Sequence, residues 1–94
     1  MYYTNLVKKT KSLSDILERE LGLQFSQNFT TLNLEYIGSQ LNIHAEITVF
    51  EDIFEICIEV EYSKTDKEVC IVEVESISSL LDIFKHNVLN NMGK

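Results

Sequence analysis

Between residues 30 and 75 apolar and polar side chains alternate with a period of two, the pattern of strands that bury one face and wet the other. The clearest stretch is FEICIEVEY, residues 54–62, in which Phe54, Ile56, Ile58, Val60 and Tyr62 alternate with Glu55, Cys57, Glu59 and Glu61. Four such stretches predict strands at 30–37, 41–50, 53–62 and 68–75.

The pattern on either side has the period of a helix. Leu13, Ile16, Leu17 and Leu21 share one helical face, Ser12 or Ser14 can cap its start, and Gly22 suits the left-handed residue after its last turn, so a helix is predicted over 13–21. The preceding LVKKTKSL can extend it backwards, with Leu6, Leu13 and Leu17 on one side and its lysines as surface charges. Near the other end, Ile77, Leu80, Leu81, Phe84, Val88 and Met92 recur at three-and-four spacing behind a Ser76 or Ser78 cap, which predicts a second helix.

Antiparallel neighbours must agree about which face is apolar, and this tests the pairing. A two-residue Gly38-Ser39 turn of type II′ sets Tyr36 against Leu41, Leu34 against Ile43 and Leu32 against Ala45. A turn at Glu51-Asp52 sets Val49 against Phe54, Ile47 against Ile56, Ala45 against Ile58, Ile43 against Val60 and Leu41 against Tyr62. A loop at 63–66 keeps Cys70, Val72 and Val74 on the apolar face without fixing a register. The predicted fold is a single α+β domain over 1–94: a two-layer sandwich in which a four-stranded antiparallel meander, order 1-2-3-4, carries the N- and C-terminal helices on one face (α-β-β-β-β-α). No cofactor is needed for such a core to fold.

Composition sharpens this picture. The formal net charge is −7, which disfavours direct nucleic acid binding, because a phosphate backbone is met by clustered Lys and Arg. No apolar run is long enough for a membrane-spanning helix, so no membrane partner is expected and the chain reads as cytoplasmic. Cys57 and Cys70 have neither CxxC nor His-spaced neighbours, the usual signals of a structural zinc site, and read as reduced thiols.

The second sheet face collects the polar set. Asn33, Glu35, Asn42, His44, Glu46, Glu55, Cys57, Glu59, Glu61, Glu73 and Glu75 fall there with Val69 and Ile71 among them, and Phe50 and Ile53 end it beside an acidic turn. Glu46, Glu55, Glu59, Glu61, Val69, Ile71 and Glu73 are therefore the candidate partner-binding residues: apolar anchors within a carboxylate field suited to a basic protein partner. His44 opposite Glu59 resembles a general-base pair, but a flat sheet face offers neither a pocket nor a nucleophile, and no enzymatic role is expected. Carboxylates around Cys57 should raise its thiol pKa.

These features are read as a small acidic protein-binding module acting by surface occupation. An inhibitor of a nucleic-acid-handling protein, of the kind carried by a phage or mobile element, suits the dense Glu, and an immunity or adaptor protein belongs to the same class. The alternative is a homo-oligomeric structural protein, a homodimer for instance, in which Val69, Ile71 and the edge of the fourth predicted strand join two copies.

Overall fold

The computed structural model describes the backbone of residues 2–93 and the side chains of residues 3–93. Its elements are α1 (Tyr2–Leu21), β1 (Ser26–Asn28), β2 (Thr31–Ile37), β3 (Asn42–Val49), β4 (Phe54–Glu61), β5 (Lys67–Val74), α2 (Ile77–Asn87) and a single 3-10 turn (Leu89–Asn91). The strands form one antiparallel sheet in the order β1-β2-β3-β4-β5. The chain is thus α+β with helices at both ends of the meander, but the sheet has five strands, not four.

The additional strand is SQN, three exposed residues without apolar alternation. No apolar periodicity makes it a strand, although the Ser26 hydroxyl donates to the Asn33 carbonyl of β2 at 3.3 Å. Its pairing with β2 does: Asn28 opposes Thr31 and Ser26 opposes Asn33 across the two-residue Phe29-Thr30 connection. Phe29 holds φ 55°, a left-handed conformation that is sterically costly for a bulky side chain. The Val49 N–H donates to the Thr30 carbonyl at 2.8 Å and ties this turn to β3.

Helix α1 takes the backward extension in full. Leu6, Thr10, Leu13 and Leu17 form its inward stripe, and Thr10 is wholly buried with its hydroxyl donating to the Leu6 carbonyl at 2.7 Å. A hydroxyl in the stripe makes the apolar pattern begin at Leu13 although the helix begins near Tyr2; Ser12 and Ser14 consequently lie inside the helix and are not its caps. The helix ends as expected, with Gly22 at φ 69° and its N–H on the Glu18 carbonyl at 2.9 Å.

At α2 the Ser76 hydroxyl caps the start, accepting from the Ser79 N–H at 3.1 Å. Leu80, Phe84 and Val88 are buried, whereas Ile77 and Met92 stay partly exposed and the regular helix stops at Asn87. The Gly93 N–H reaches the Tyr36 hydroxyl at 2.7 Å and fastens the following turn to β2.

The β3–β4 hairpin has the predicted register from Val49–Phe54 through Ile43–Val60, closed by the Phe50 N–H on the Ile53 carbonyl at 3.0 Å. Its ladder ends at Asn42–Glu61, so the expected Leu41–Tyr62 pair is not formed. The β2–β3 register differs by two residues: Tyr36 opposes Ile43, Leu34 opposes Ala45 and Leu32 opposes Ile47. The connection there is a four-residue loop, Gly38 to Leu41, closed by the Gly38 N–H on the Leu41 carbonyl at 2.9 Å. Gly38 is not among the residues with positive φ, which a type II′ turn would require of it. Because side chains repeat every two residues, this slip leaves every one of them on its predicted face.

Strand β5 pairs with β4 through Phe54–Val74, Ile56–Val72 and Ile58–Cys70. One face of the sheet therefore carries Leu32, Leu34, Ile43, Ala45, Ile47, Val49, Phe54, Ile56, Ile58 and Val60, in a single buried cluster with Leu13 and Leu17 of α1 and Leu80, Phe84 and Val88 from the C-terminal region. Each large side chain among them contributes about 1.5–3 kcal/mol of burial.

Candidate protein-binding face

The opposite face is a grid whose rows are set by the strand registers. From β2 to β5 they read Ile37, Asn42, Glu61, Lys67; then Glu35, His44, Glu59, Val69; then Asn33, Glu46, Cys57, Ile71; and last Thr31, Thr48, Glu55, Glu73. The structure thus brings Glu46, Glu55, Glu59, Glu61, Val69, Ile71 and Glu73 together on one surface. Glu75 lies beyond the end of β5 and outside the grid.

Six carboxylates share this grid with one lysine, Lys67. Glu59 takes that lysine, Oε2 to Nζ at 3.8 Å. His44, although it stands opposite Glu59 in the ladder, turns the other way: its Nδ1 meets Glu35 Oε1 at 3.2 Å. The expected His44–Glu59 pair is therefore two separate contacts, because each strand has neighbours on both sides and each carboxylate meets the nitrogen its own side chain reaches. Both contacts are exposed and worth little to stability.

No two carboxylates oppose each other across β3–β4, but Glu55 and Glu73 do across β4–β5. Like charges in that position are destabilising. Cys57, half-buried between Glu46 and Ile71, has its thiol pKa raised first by burial and then by the Glu46 and Glu59 carboxylates. The thiol is thus held in its poorly nucleophilic form. Cys70 lies on the other face of the sheet, half-buried against the core. Among the described residues, no group of three or more His, Cys, Asp or Glu side chains is gathered as a metal site.

At one margin of the grid Val69 and Ile71 are 51% and 71% exposed. Ile37, 79% exposed on the opposite margin, is a further apolar position on this face, beyond the candidate residues. Its odd number, shared with Asn33 and Glu35, would have revealed it. Asn42, His44, Glu59 and Glu61 line a shallow depression of about 190 Å³ next to Ile37.

The locally basic segment near the start faces elsewhere. Lys9 donates from Nζ to the Phe50 and Glu51 carbonyls at 3.2 and 2.8 Å and sits 5.1 Å from the centre of the Phe54 ring, while Lys11 pairs with Asp15 at 2.6 Å. Lys9 thus clamps α1 to the β3–β4 turn.

Fold and face together define an α+β protein with one sheet surface buried under helices and the other acidic and open. No helix is long and apolar enough to cross a membrane among the described residues. Comparison with protein-family models, with curated proteins and with solved structures gives no match.

Proposed function

We propose that this chain is a protein-binding module that acts by laying its open sheet face on a basic surface of another protein. One observation carries the reading: Glu35, Glu46, Glu55, Glu59, Glu61 and Glu73 share a face with the single lysine Lys67. Folding gains nothing from this excess, since exposed carboxylates repel one another and bury no apolar area. A basic partner converts the same repulsion into steering and orientation, and Val69 and Ile71 supply apolar contact at the margin. A carboxylate array of this kind suits an inhibitor that covers the basic site of a nucleic-acid-handling protein, such as a phage or mobile element would carry; immunity and adaptor roles use the same surface chemistry.

The test is affinity capture from the native host, comparing the natural chain with a Glu55→Lys, Glu59→Lys, Glu61→Lys variant and identifying bound proteins by mass spectrometry. Proteins that bind the natural chain should be basic and lost from the variant, whose thermal stability stays within about 1 kcal/mol because the positions face solvent. Capture of the same proteins by both would discard the acidic face as the binding surface.

A further inference from the structure

The two edges of the sheet are unequal. β1 is three residues long, whereas β5 presents eight, and among the described residues no strand pairs with its outer side. The Tyr62 N–H donates to the Asp66 carbonyl at 2.8 Å, in line with the β4–β5 register. In an antiparallel ladder the bonded pairs alternate, so even-numbered residues of β5 direct their main-chain groups toward β4. The N–H and C=O groups of Lys67, Val69, Ile71 and Glu73 therefore point outward.

Their side chains form a sequence that complements itself when reversed: cation, apolar, apolar, anion. We propose that β5 pairs with β5 of a second copy of this chain, antiparallel about a two-fold axis through Cys70 and perpendicular to the sheet. Lys67 then opposes Glu73 of the second copy and Val69 opposes its Ile71, each pair occurring twice and each exchanging a pair of main-chain hydrogen bonds. On the helix side Cys70 meets its own counterpart and Glu68 opposes Val72.

Neighbouring registers lose this match. A shift of two residues one way sets Lys67 against Ile71, and the other way Val69 against Glu73. A shift of one puts open-face side chains opposite core-face ones and is excluded in a continuous sheet. Charges on a free edge ordinarily keep it from self-pairing; here Lys67 and Glu73 stand equally far from Cys70 and have opposite sign, so they favour the pairing. The axis places both open faces on the same side. The dimer leaves the acidic grid uncovered and doubles it, and stands or falls independently of what that grid binds.

The experiment is light scattering and sedimentation over a concentration series on Lys67→Glu, on Glu73→Lys and on their equimolar mixture, with circular dichroism to check folding. The natural chain should dimerise, each single variant should weaken the dimer on the order of tenfold by setting like charges opposite each other, and the mixture should recover it as a heterodimer. A second test uses Cys57→Ser and Cys70→Ser chains with diamide, which accepts two electrons and two protons from a pair of thiols and becomes its hydrazine. Opposed Cys70 residues at a non-bonded position have a Cα separation of about 4.5 Å, within disulfide reach. Cys57→Ser should form a covalent dimer and Cys70→Ser should not. A monomer at millimolar concentration, a mixture that fails to recover, or cross-linking that does not require Cys70 would overturn the proposal.

Discussion

The two faces of β4 share a backbone and differ in nearly every other respect. Phe54, Ile56, Ile58 and Val60 are at most 6% exposed, closed in by both helices and by the neighbouring strands. Glu55, Cys57, Glu59 and Glu61 alternate with them on the open face, Glu55 exposed and the other three half-buried among the side chains of β3 and β5. Packing constrains the first set so tightly that its identity is explained by folding alone. The second set satisfies no folding requirement beyond being polar, and a mixture of Lys, Thr and Glu would serve that equally. Three of its four members are carboxylates, an excess of one sign that folding does not require.

The contrast can be broken by substitution, and the largest effects belong to the buried side. Phe84→Ala removes a fully buried ring that stacks edge-on against Phe25 at 5.6 Å, and should cost about 3–5 kcal/mol in denaturant unfolding. Ile58→Ala should cost ~2–5 kcal/mol. If Glu59→Ala cost as much as Ile58→Ala, the distinction between the faces would vanish.

Next comes the clamp that joins helix to sheet. Lys9→Ala loses a cation over the Phe54 ring and the bonds to the Phe50 and Glu51 carbonyls, an expected loss of about 1 kcal/mol. No change in thermal stability would show that α1 is held by apolar packing alone.

Smaller still, and of opposite sign, is the effect of relieving the Glu55–Glu73 opposition. Glu55→Gln should stabilise by about 0.2–0.5 kcal/mol, and less at high salt. A salt-independent loss would mean that Glu55 makes a favourable contact.

The smallest effect lies in the titration of Cys57. Its raised pKa means that, as pH rises through the ordinary thiol range, the unfolded chain releases this proton while the folded chain retains it. The contribution is therefore present below the unfolded thiol pKa and declines above it. Alkylation followed by mass spectrometry should place the midpoint for Cys57 at higher pH in the folded than in the denatured chain, and Glu46→Gln should lower it. Coincident midpoints would contradict the arrangement around the thiol.

Particular elements show how far such an arrangement can be read from residues alone. The β3–β4 hairpin is legible in register because two long alternating stretches leave only a two-residue gap, and the tightest connection that keeps the faces matched is the one formed. Across β2–β3 the faces were legible and the register was not: a period of two cannot distinguish alignments two residues apart, and the four-residue loop decides between them. The pattern does not fix the first half of α1, because buried Thr10 interrupts the apolar stripe and its hydroxyl is satisfied inside the helix by a bond that composition does not show. The seven candidate binding residues fell on one face because parity alone assigns it. Ile37 and Lys67, which complete that face, stand at strand ends, where alternation no longer tells strand from turn.

By itself the sequence determined which side of the sheet each side chain occupies, since alternation is a local property that survives any slip of two. It also placed the end of α1 at Gly22, whose own backbone freedom closes the last turn, and narrowed the start of α2 to Ser76 or Ser78, between which the structure selects Ser76. Only the tertiary structure decided that SQN is a strand, that His44 turns to Glu35, that Lys9 clamps a distant turn and that β5 is left as the long free edge. Each of these depends on which groups are brought within bonding distance from elsewhere in the chain, and no local periodicity encodes that.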